Sequence, residues 1–128
     1  MRKNLGQSLV EAVMAIAVVM IIIVALMVVT TVSVRNVIFS RNQALATKYA
    51  QEWIEDARKL RDSQPESVFF VNGSCNASGI VGGFARTRVC NLTVDGDKKA
   101  MIVTVTVSWT DAKGTHKSEL TTYLTKWK

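Results

Sequence analysis

The chain has 128 residues, with 16 Lys and Arg against 10 Asp and Glu, which gives a net charge of +6. It contains one histidine, two cysteines and one proline. There is room for a single small domain and one membrane segment, and the mild positive charge permits contact with anionic surfaces or DNA without demanding it. Enzyme chemistry is poorly supported: the sequence lacks Gly-x-Ser-x-Gly, His-Glu-x-x-His and a P-loop. Cys75, Cys90 and the distant His116 do not have the spacing of a metal site. No cofactor is expected.

A short basic start, Met1-Arg2-Lys3-Asn4-Leu5-Gly6, is followed by Gln7-Ser8-Leu9-Val10-Glu11. Residues 12–34 then carry no charge over 23 positions, and only Thr30, Thr31 and Ser33 are polar. About 20 apolar residues cross a bilayer core, so this stretch predicts a membrane-spanning helix. Glu11 stands at its mouth, where an acid is costly unless it has a partner or a task. A secretory signal peptide would have a shorter apolar run with the small residue after it. A plain signal anchor would account for the hydrophobicity and leave Glu11 unexplained. The basic residues before the span place the start in the cytoplasm and the remainder across the membrane.

Beyond Val34 charges enter, and Ile38, Leu45, Tyr49, Trp53, Ala57 and Leu60 recur at helical spacing, widened by Ala46, Ala50 and Ile54. This pattern predicts an amphipathic continuation of the helix whose stripe through Trp53 receives a sheet. Glu52, Glu55, Asp56 and Lys59 mark its wet side. Pro65 ends the helix, so one helix of about 53 residues, on the order of 80 Å, is expected from near Leu9 to near Arg61.

Residues 66–83 read as loop, with Val68-Phe69-Phe70-Val71 as a short strand or an anchor and the glycines as turns. Three strands follow. Residues 84–94 place Cys90, Leu92 and Val94 on one face and end at the turn signal Asp95-Gly96. Residues 100–110 alternate Met101, Val103, Val105, Val107 and Trp109 against polar positions. After Asp111-Ala112-Lys113-Gly114, residues 115–127 present Leu120 and Leu124 together. The expected fold is α+β: a long N-terminal helix packed on a small antiparallel meander.

Cys75 and Cys90 fall in the translocated part, where disulfides persist, and a disulfide suits that setting better than two free thiols. The Asn-x-Ser/Thr tripeptides at Asn72, Asn76 and Asn91 read as ordinary turn chemistry more than as glycan acceptors. Trp53 and Trp109 read as core. Trp127, between Lys126 and Lys128, is the aromatic freest to meet a partner or DNA.

Residues 1 to about 34 closely resemble the N-terminus of type IV pilins and pseudopilins. The resemblance rests on the basic leader ending in Gly6, on Glu11 at the fifth place counted from Gln7, and on the apolar run that follows. It implies cleavage after Gly6 by a prepilin peptidase, Gln7 as the new and commonly methylated N-terminus, and Glu11 as the residue that pairs with that amine during assembly. Loss of Arg2 and Lys3 with the leader would lower the charge from +6 to +4. The implied organisation is a leader (1–6), a transmembrane and filament-core helix (7–34), its amphipathic continuation (35–64) and a globular sheet (65–128). Implied partners are other pilin subunits, the peptidase, the assembly platform and the membrane, with DNA or a host surface as a further target. The implied location is the cytoplasmic membrane before assembly and a surface filament after it.

Three departures tilt the resemblance toward a minor pilin or a pseudopilin. Gln7 stands where the family more often has phenylalanine or methionine, no proline bends residues 12–34, and Cys90 lies far from the C-terminus. A structural pilus subunit, a secretion pseudopilin and a DNA-uptake or adhesion pilin all remain open.

Overall fold

A computed structural model describes residues 5–96 and 98–126. One helix, α1 (Leu5–Ser63), is followed by a single-turn helix, α2 (Glu66–Phe69), and four strands: β1 (Ala77–Val81), β2 (Phe84–Asp95), β3 (Lys98–Asp111) and β4 (Gly114–Thr125). The fold is α+β, a long N-terminal apolar helix packed on a four-stranded antiparallel sheet of order β1-β2-β3-β4. The chain divides into two compact units, Met1–Ser40 and Arg41–Lys128.

Residues 7–63 contain neither glycine nor proline, so nothing interrupts the hydrogen-bond ladder of α1. The helix stops where the rules of capping require. Arg61 complements the dipole in the last turn, the Gln64 amide donates to the Leu60 carbonyl at 3.0 Å, and Pro65 cannot continue. Pro65 then starts α2, whose Phe69 and the following Phe70 are buried edge-to-face at 5.2 Å. The segment 68–71 is therefore an anchor and not a strand. Val68 and Val71 point to solvent on either side of the two rings.

The sheet is a plain meander. β2 and β3 pair from Ala85↔Ser108 to Asp95↔Lys98, and β3 and β4 from Ala100↔Thr125 to Asp111↔Gly114. Its inner face is built on β3, where Met101, Val103, Val105 and Val107 are fully buried and Trp109 nearly so. β1, read in the sequence as part of a loop, pairs Ala77–Val81 with Arg88–Phe84. Its residues, Ala-Ser-Gly-Ile-Val, carry little strand signal, and the pairing is set by the turn that joins it to β2. Gly82 and Gly83 both have positive φ, the requirement of the tight hairpin whose twist matches its strands.

Within the unit Arg41–Lys128, α1 lies on the inner face with small residues at the centre of contact. Ala46, Ala50 and Ala57 are completely buried and Ile54 nearly so, while Tyr49, Trp53, Leu45 and Leu60 are half-buried flanks. The expected stripe through Trp53, widened by Ala46, Ala50 and Ile54, is the buried one, with the alanines at its centre and Trp53 on its flank. Alanines let the helix backbone approach the valines of β3, and larger side chains close the sides. Val94, expected on the same face as Cys90 and Leu92, is exposed, because the covered part of that face ends at the Leu92↔Met101 pair, three pairs before the β2–β3 turn.

Candidate functional site

Two regions carry side chains whose chemistry calls for explanation. The first is the N-terminal part of α1. Gly6 and Gln7 both lie in its opening turn. Glu11 is exposed one turn further on, and among the described residues no cation forms an ion pair with it. From Leu9 to Phe39 the large apolar side chains are exposed all round the helix, with Ile21 at 69 % and Val37 at 67 %. The most apolar window has a mean hydropathy of 3.3 and none of it is buried. A helix hydrophobic on every side is stable only in apolar surroundings, either a bilayer or a protein assembly.

The polar residues inside this stretch are adapted to such surroundings. Thr30 and Thr31 each donate their hydroxyl to the Met27 carbonyl, at 2.9 and 2.8 Å, so neither proton is left unmatched away from water. The helix is long and apolar enough to cross a membrane and is compatible with a single-pass anchor.

The second region is where the folded unit fastens its loop to its sheet. Cys75 and Cys90 form a disulfide with Cα atoms 5.6 Å apart, and both are buried. The same loop fills in for a missing strand. The Gly73 amide donates to the Cys90 carbonyl at 2.8 Å, and the Cys90 amide donates to Asn76 Oδ1 at 2.8 Å. The Leu92 amide donates to Asn72 Oδ1 at 3.2 Å. β1 covers only the first half of β2, and these contacts satisfy the second half. Asn72 and Asn76 are structural, therefore. Asn91 is exposed on the outer face of the sheet.

Sequence reasoning missed two arginines. Arg86 and Arg88 sit at inward positions of β2, in step with Phe84 and Cys90. Arg88 donates from Nε to the Cys75 carbonyl at 2.6 Å and from Nη1 to the Trp53 carbonyl at 2.9 Å, so it ties β2 to both the disulfide loop and the helix. Burial lowers its pKa from the ordinary value, with Asp56 pulling the other way. Arg86 lies over the Trp53 ring at 4.5 Å and near Tyr49 at 5.7 Å, and it reaches Glu52 at 3.8 Å. Its Nε is buried without a hydrogen-bond partner, where the aromatic faces substitute for one. Trp53 is therefore a half-buried platform for two guanidinium groups, not a bare core residue. The available signal was the alternation: positions 84, 86, 88 and 90 share a face, opposite a helix carrying Tyr49 and Trp53.

Trp109 is buried as expected and stacks obliquely on Phe84 and His116, at 5.8 and 5.5 Å. Lys126 pairs with Glu66 at 2.6 Å, which ties down part of the basic tail; Trp127 and Lys128 lie outside the described residues. So does Asp97, one of the two acids flanking Gly96. Among the described residues no three His, Cys, Asp or Glu side chains converge as metal ligands.

No protein-family model matches the chain, and no curated protein or solved structure shows significant similarity to it.

Proposed function

We propose that this protein is a filament subunit of the type IV pilin kind, made as a membrane-anchored precursor and assembled through its apolar helix. The observation that carries the reading is Glu11: a lone acid five places beyond Gly6, at the mouth of a helix whose apolar surface is exposed on every side. A carboxylate drawn into a packed bundle of such helices is costly unless a cation accompanies it. Cleavage after Gly6 would supply that cation as the new ammonium of Gln7, in the same subunit or a neighbour. It would also remove Arg2 and Lys3, which hold the leader at the cytoplasmic face. Processing would then precede assembly for an electrostatic reason. In this scheme the sheet unit faces outward, and the departures at Gln7 and Cys90 favour a minor subunit or a pseudopilin over a major one.

The deciding experiment is the N-terminal mass of the mature protein, expressed with and without a prepilin peptidase. A peptidase-dependent start at Gln7 is expected; an intact Met1 in both cells, or a cut beyond residue 34, sinks the proposal. Glu11→Ala should then insert and be cleaved normally yet fail to enter filaments.

A further inference from the structure

We infer that Arg35 is a binding residue for the phosphate of an anionic phospholipid, positioned at the end of the apolar span opposite Glu11. The inference rests on the membrane-anchored reading above. Glu11 and Arg35 are 24 residues apart on a continuous helix, which places them about 36 Å apart along its axis. That separation exceeds the roughly 30 Å of a hydrocarbon core and falls short of the roughly 40–45 Å that includes the headgroups. With Glu11 at one headgroup layer, the Arg35 guanidinium is at the level of the phosphates of the other.

The surroundings of Arg35 suit an anion and provide none. Its helical neighbours at three and four positions are Thr31, Val32, Ile38 and Phe39, with no acid among them. Among the described residues no ion pair involves Arg35, as is also true of Arg41 and of Lys98, Lys99, Lys113 and Lys117 on the sheet. The sequence holds no acid at all between Glu11 and Glu52, and its three charges in that interval, Arg35, Arg41 and Lys48, are all positive. Arg35 lines a shallow recess of about 360 Å³ with Thr30, Thr31 and Val34. Both threonine protons are committed to the Met27 carbonyl, which leaves the planar fork of the guanidinium as the donor set of that recess. A fork of N–H donors matches a phosphate with two parallel hydrogen bonds. Val37, Ile38 and Phe39, exposed immediately beyond, extend apolar surface into the same interfacial layer and keep Arg35 from rising clear of it. The occupant is a lipid headgroup because the recess lies on a helix that is apolar all round.

The test uses the full chain in phosphatidylcholine nanodiscs carrying either spin-labelled phosphatidylglycerol or spin-labelled phosphatidylcholine. The motionally restricted fraction of each label gives the lipid preference of the protein. At low salt the wild type should favour phosphatidylglycerol, and Arg35 should account for about a fivefold share of that preference, the contribution of one basic residue at a charged surface. Arg35→Gln should lower that ratio about fivefold from the wild-type value, and Arg35→Lys should retain most of it. An Arg35→Gln protein with the wild-type ratio overturns the inference. So does loss of the preference in inorganic phosphate at matched ionic strength, which would make the recess a general anion site. Absence of any restricted lipid would instead refute the membrane anchor itself, a different failure from an embedded helix without lipid preference.

Discussion

Ile21, Ile22 and Val24 in one part of the chain are 69, 53 and 60 % exposed, while Val103, Val105 and Val107 in another are fully buried. The residue types are the same; the patterns are not. On β3 apolar residues alternate with polar ones, so one face can be hidden and the other wetted by the protein's own architecture. On the first part of α1 apolar residues are continuous, and no arrangement of a small sheet could hide them all. Alternation specifies a core that the chain makes for itself, whereas continuity specifies surroundings that something else must provide.

Several substitutions would break or sharpen that contrast. Met101→Ala should destabilise the folded unit by about 2–5 kcal/mol, seen as a lower denaturation midpoint, because the buried side chain leaves a cavity. Membrane association should be unchanged, and a loss of association would mean that the two regions are not independent. Replacing both Cys75 and Cys90 by serine should cost about 3 kcal/mol of the same stability, the loop-entropy value for a separation of 15 residues. Ile22→Lys should do the reverse: insertion is penalised by about 3 kcal/mol, and the melting of the sheet unit is unaltered. Membrane fractionation beside thermal denaturation reads both.

Smaller effects probe the seam between loop, sheet and helix. Arg88→Met should cost about 1–3 kcal/mol, since the carbonyls of Cys75 and Trp53 lose their donor. The smallest effect concerns the β3–β4 turn. The Lys113 amide at 2.7 Å, and then His116 at 3.0 Å, hold the Asp111 carboxyl below its ordinary pKa. A lowered folded pKa means that the contribution is complete above the unfolded value of about 3.9 and is lost as pH falls through the folded value. Asp111→Asn should therefore lower stability slightly at neutral pH and make the acid limb of a stability–pH curve shallower, the two proteins converging below the folded pKa.

Much of the architecture was legible because it rests on strong periodic signals. The charge-free stretch, the helix ending at Pro65, the inward face of β3 and the hairpin at Gly96 follow from hydropathy and turn chemistry alone. β1 was illegible, because a five-residue edge strand containing Gly79 is placed by its partner and by the Gly82–Gly83 turn, not by its own propensity. The Trp53 platform was hidden for a related reason. Single-strand reading treats arginine as outward-facing, and only the register of β2 against the helix brings Arg86 and Arg88 inside. At the N-terminus the sequence displayed Gly6, Gln7 and Glu11 plainly. In the proposed scheme the partner of Glu11 would come from chemistry done after synthesis, a step that neither spacing nor the folded chain records.

The disulfide has a mechanical consequence for any load carried along the chain. With Cys75 joined to Cys90, the stretch between them, including all of β1, cannot lengthen when the chain is pulled from its ends. About 50 Å of contour, 15 residues at roughly 3.4 Å each, is thereby withheld from any extension. The covalent loop shortens the tether that the chain can pay out under tension.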